Sequence, residues 1–123
     1  MNSEIVHIPE KDIIHSKFSG EVVLGSIQES AKEGLLLSQK TGCHKFIIDL
    51  TESIIHISFA EVIIFIEGLW RMGFSSNDRV AFIIRKEEND FTFWETAAVN
   101  RGWGKVGFFT SQEEAEKWIL LLK

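Results

Sequence analysis

Ser58 carries the most specific chemical option in this chain. It stands three positions before Glu61 and directly before the largely apolar stretch over 59–73. That spacing is an S-x-x-E capping box, in which each side chain accepts a hydrogen bond from the other's backbone N–H and opens a helix. A hydroxyl at such a place is also a phosphorylation target that a fold tolerates. The free N–H groups and the helix dipole favour negative charge there by about 0.3–1 kcal/mol. A phosphate adds about −1.5 to −2 charge and can repel or recruit a partner. The plain alternative is an N-cap worth about 1 kcal/mol. Glu61 completes the box without any phosphate, which favours the plain cap.

The other reactive side chains form no catalytic set. His7, His15, His44 and His56 show neither H-x-x-x-H nor HExxH spacing, so no metal site is expected. Cys43 is the single cysteine, and its neighbour His44 is too close in sequence to align for proton transfer. No GxSxG elbow, P-loop or paired-carboxylate arrangement is present, so no catalytic residue is assigned. The run Gly102-Trp103-Gly104-Lys105-Val106-Gly107 looks phosphate-binding, but it enters a strand rather than opening a helix. Phe91, Phe93, Trp94 and Trp103 are rings enough to line an apolar pocket. Asp49 stands at the end of an apolar strand, where α/β sheets place ligands.

The elements that must position these residues follow from pattern. Residues 4–8 and 12–18 read as two strands around Pro9-Glu10-Lys11. Residues 21–41 read as a helix, with Val23, Ile27, Ala31 and Leu35 on one stripe and Gly42 as its stop. Residues 45–50 form a strand whose unbroken Phe46-Ile47-Ile48 suits a centre covered on both faces. A loop over 51–58 leads to a helix over 59–73. Strands over 79–85 and 105–109 flank a helix over 91–102 capped by Asn89 or Asp90. Thr110 to Glu113 is a second box, opening a last helix with Ala115, Trp118, Ile119 and Leu122. In the 59–73 helix, Phe59, Val62, Ile63, Ile66 and Trp70 make a core stripe. Ile64, Phe65, Leu69 and Met72 extend the apolar surface around much of the circumference. That excess has two readings: a docking or self-association face, or a helix buried on several sides.

The order β-β-α-β-α-β-α-β-α implies right-handed crossovers and a mostly parallel, mixed five-stranded sheet with about four helices. One domain spans residues 1–123. Net charge is −5 with no basic stripe, which argues against a nucleic-acid partner. The most apolar stretch, Val62 to Ile66, is too short to span a bilayer. The first nine residues carry no signal-peptide pattern, and the expected location is cytoplasmic.

This order, with Phe46-Ile47-Ile48-Asp49-Leu50-Thr51, Phe93-Trp94-Glu95-Thr96-Ala97, Asn100-Arg101-Gly102-Trp103 and Phe108-Phe109-Thr110-Ser111, resembles the STAS domain of bacterial anti-sigma-factor antagonists, in its SpoIIAA-like branch. The resemblance implies an α/β fold and a non-catalytic regulatory or scaffold module that binds a protein, as a homodimer or with another chain. It also implies a phosphorylatable Ser at the start of the second helix, and Ser58 falls there. Ile57, Phe59 and Ala60 replace the Asp, second Ser and Gly of the family's segment. The expected contact region is loop 51–58 with helix 59–73, through Ile64, Phe65, Leu69 and Met72. The alternative is a small-molecule or lipid-binding protein, its pocket lined by Asp49, Phe91, Trp94 and Trp103. No cofactor is expected.

Overall fold

The computed structural model describes residues 2–75, 77–85 and 105–121, without the side chains of Phe59 and Trp70. The expected helix over 91–102, with its cap residues and Trp103, lies outside the described residues. Five strands and three helices are described. They are β1 (Asn2–Ile8), β2 (Ile13–Val22), α1 (Leu24–Thr41), β3 (Lys45–Ile55), α2 (Phe59–Met72), β4 (Arg79–Ile83), β5 (Val106–Phe109) and α3 (Gln112–Leu121). The sheet order is β1-β2-β3-β4-β5. β1 runs antiparallel to β2, and every other neighbouring pair is parallel.

The apolar run in β3 is explained by a helix layer on each face. Phe46 and Leu50 point into one core with Phe18, Val80 and Phe82, under Ile27 of α1 and Val62, Phe65, Ile66 and Leu69 of α2. Ile47 points the other way and packs with Ile13, Ala81 and Ile83 under Ala115 and Ile119 of α3. Period-two alternation along a strand thus feeds two cores, and both faces must be apolar. Among the described residues no helix is long and apolar enough to cross a membrane.

Four of the boundaries that differ from the expected ranges have a local cause. β2 does not end at residue 18. Gly20 adopts φ 82°, a conformation open to glycine, and the strand continues to Val22. β3 continues to Ile55, because the tail of β2 supplies its partner: Gly20 lies opposite Ser53 and Glu21 opposite Ile54. The register shifts between Lys17 and Ser19, where β3 carries one extra residue. Loop 51–58 therefore shrinks to residues 56–58. α1 starts at Leu24, and Val23 is its N-cap rather than part of its buried stripe, being 49% exposed. The last helix also starts one residue late. Ser111 Oγ accepts from the Glu114 N–H at 3.2 Å, so the cap is Ser111, not Thr110.

Candidate functional site

β2 and β3 end together and send the chain into α1 and α2, so both helix N-termini lie at the carboxyl-terminal end of the sheet's strands. His56 ties this end. Its N–H donates to the Val22 carbonyl at 2.8 Å, and its Nε2 lies 3.4 Å from Glu21 Oε1. Ser58 follows, with its side chain exposed. The capping box is formed: the Ser58 N–H donates to Glu61 Oε1 at 3.0 Å, and the Glu61 N–H donates to Ser58 Oγ at 3.3 Å. The Val62 N–H reaches the Ser58 carbonyl at 3.0 Å and closes the first turn. Ile57 and Val62 flank the cap in sequence and join the same core, the positions of a hydrophobic staple.

α2 is rotated relative to its sequence reading. Val62, Phe65, Ile66 and Leu69 are all buried, at the i, i+3, i+4, i+7 positions of one inward face. Phe65 and Leu69 are therefore core residues, not an outward docking surface, and Met72 is half-buried against the same core. Ala60, Ile64, Glu67 and Arg71 form the exposed stripe, and Ile64 alone of the four expected contact residues stands out, at 53% exposure. α2 packs its inward face on the core and lies against α1.

Asp49 is not at a strand end. It pairs between Lys17 and Ile83 inside β3, and its Oδ1 accepts from the Thr51 N–H at 2.9 Å and the Thr51 hydroxyl at 2.6 Å. By strand alternation it shares the face of Ile47, under α3. The apolar cavity of the described residues lies on the opposite face. It holds about 60 Å³ among Phe18, Phe46, Phe65, Phe82 and Phe108, with the hydroxyls of Ser16 and Ser30 at its polar side. Asp49 and this cavity cannot form one site. Phe91, Trp94 and Trp103 fall outside the described residues.

The histidines have local partners. His15 Nε2 lies 3.1 Å from Gln112 Oε1, and His44 Nδ1 lies 2.8 Å from the buried carboxylate of Asp78. Asp78 also accepts from the Ser75 N–H at 2.8 Å, which fixes the turn into β4. His7 and His15 do not face each other across the hairpin. His7 pairs with Ile14 and Val6 with His15, so the two rings leave on opposite faces. His7 Nε2 instead meets Asp12 Oδ1 at 3.0 Å and holds that carboxyl below its ordinary range. Cys43 is fully buried nearby, and burial pushes its thiol up. Residues 7, 12 and 43 share no spacing motif, so only the folded chain reveals this meeting.

No protein-family model and no curated protein matches this chain. Its fold is similar to the crystal structure of an uncharacterised DUF3478-family protein from Shewanella loihica PV-4, which has a SpoIIAA-like fold. The match covers 95% of this chain and 93% of the other, with a TM-score of 0.56 and 20% identity. The chain has a SpoIIAA-like fold, as the order of its elements implied.

Proposed function

We propose that this chain is a non-catalytic regulatory module that docks a protein partner through the strand-end face where α1 and α2 begin. One observation carries this reading. Two large aliphatic side chains, Val23 and Ile64, are 49% and 53% exposed, at the N-cap of α1 and in the first half of the helix that the exposed Ser58 caps. Val23 follows Val22, whose carbonyl accepts from the His56 N–H two residues before Ser58, and Ile64 lies six residues beyond Ser58. Exposed apolar groups beside polar, modifiable ones suit a partner surface. A phosphate on Ser58 would add charge beside those apolar groups' helix starts and weaken an apolar contact there. The small-ligand alternative places its pocket at Phe91, Trp94 and Trp103, outside the described residues. The cavity of about 60 Å³ is far below the roughly 300–1,000 Å³ that drug-sized ligands occupy.

Site-specific photo-crosslinking in cells tests the reading. A photoreactive residue at Ser58 or Ile64 is expected to trap one protein that the same residue at Leu36, exposed on α1, does not trap. Purified with this chain, that protein should bind, and Ile64→Asp should weaken binding about tenfold or more. A crosslink to a second copy would identify the homodimer form. Equal labelling from all three positions would refute the assigned surface.

A further inference from the structure

Three metal-ligating side chains converge where the β1–β2 turn meets the α1–β3 connection. His7 comes from the end of β1, Asp12 from the turn and Cys43 from the connection. His7 Nε2 is 3.0 Å from Asp12 Oδ1, and Cys43 Sγ is 3.1 Å from the Asp12 carbonyl oxygen. The imidazole nitrogen, carboxylate oxygen and thiol sulfur all lie within 4.8 Å of one another. We propose that His7, Asp12 and Cys43 form a binding site for zinc(II).

The donor set and its size support the assignment. Zinc takes Cys sulfur at about 2.3 Å, His nitrogen at about 2.0–2.1 Å and carboxylate oxygen at about 2.0–2.2 Å. Tetrahedral ligands at those lengths stand roughly 3.3–3.6 Å apart. The donors here already span that scale, so small side-chain rotations bring them onto one ion. Thiolate with imidazole selects zinc and its softer neighbours over magnesium or calcium. Burial is graded across the site: Cys43 is fully buried, His7 half-buried and Asp12 exposed. An ion would therefore sit against the core and keep its fourth position toward solvent, with three protein ligands and one open place. Asp12 holds φ 52°, with its N–H bonded to the Pro9 carbonyl at 3.3 Å, so the turn is fixed in the conformation that places its carboxylate beside His7. On binding, the Cys43 S–H proton passes to solvent, a zinc–sulfur bond forms and the ion sheds waters. No redox step is involved. The site lies apart from the proposed docking face and does not depend on it.

Cobalt(II) titration of the untagged, metal-free protein is the test. One equivalent is expected to give a sulfur-to-cobalt charge-transfer band, bleached by one equivalent of zinc and absent in Cys43→Ala. His7→Gln and Asp12→Asn should each weaken zinc binding about tenfold or more. Bound zinc should also slow alkylation of Cys43 in the wild type, a readout that needs no variant to fold. A spectrum without the sulfur band, zinc affinity unchanged in both surface variants, or alkylation indifferent to zinc would each overturn the site.

Discussion

Ser58 and Glu61 satisfy each other's backbone: one N–H donates to the carboxylate at 3.0 Å and the other to the hydroxyl at 3.3 Å. This reciprocity sets what substitution does. Ser58→Ala removes one of the two bonds and should cost about 1 kcal/mol in urea unfolding. Ser58→Asp should hold within about 0.5 kcal/mol of wild type, because Asp caps as well as Ser and its charge suits the helix start. A folded Ser58→Asp protein that no longer binds the crosslinked partner would separate the switch from the cap. If Ser58→Asp binds unchanged, Ser58 acts as a cap alone.

Ile64 and Leu69 were equivalent in sequence and are opposite in structure. Ile64 is 53% exposed and Leu69 5%. Ile64→Asp should change stability by no more than about 0.5 kcal/mol. Leu69→Ala leaves a cavity between α2 and the sheet and should cost about 2–5 kcal/mol. Chemical denaturation of both variants checks the rotation of α2. Similar losses in the two would contradict the burial pattern.

The difference between those residues shows where sequence reading stops. Phe46-Ile47-Ile48 announced a doubly covered strand because alternation has no polar position left to show. Ser58 and Glu61 announced a helix start because capping is local. α2 is apolar on most sides, so periodicity alone could not choose its inward face; packing against α1 and the sheet chose it. The second half of β3, Thr51-Glu52-Ser53, reads as loop. It becomes strand only because Gly20 and Glu21, thirty-three residues upstream of their partners Ser53 and Ile54, pair with it. His7, Asp12 and Cys43 meet for the same non-local reason.

Charge makes stability fall at both ends of the pH range. A hydrogen bond from Lys11 holds Glu116 below its ordinary value, and one from His7 does the same for Asp12. Each lends stability that is fully present above the ordinary carboxylate values of about 4 and is lost as pH falls through the folded-state values. Cys43 acts in the opposite sense. Burial raises its thiol, so its share is present below the ordinary value of about 8.5 and is lost as pH rises beyond it. Glu116→Gln should lower stability at neutral pH by less than about 1 kcal/mol, because Lys11 is half exposed, and should flatten the acid limb. Cys43→Ala should flatten the alkaline limb instead. Urea unfolding across pH measures both; an acid limb unchanged by Glu116→Gln would remove the Lys11 pair as its cause.

Gly107 closes the stretch that looks phosphate-binding in sequence, and its surroundings give a different reason for glycine. A Cβ there would come within 2.8 Å of Phe109 Cε2 and 3.4 Å of Trp118 Cε2. Those two rings pack against each other at 5.4 Å between centroids, tilted by 47°. Gly107 lies in β5 opposite Ala81, and Ala81 belongs to the core beneath α3. The missing side chain thus lets the Phe109 and Trp118 rings close over the sheet edge. Gly107→Ala must push the Phe109 ring, and with it Trp118, out of that arrangement. The expected loss is about 1–3 kcal/mol, the usual range for an overpacked site. Trp118→Leu should relieve little of it, because the nearest atoms belong to Phe109, whereas Phe109→Leu should restore part of the stability that Gly107→Ala removes. A double-mutant cycle across Gly107 and Phe109 reads this directly. Additive losses would place the cost of Gly107→Ala elsewhere than against the Phe109 ring.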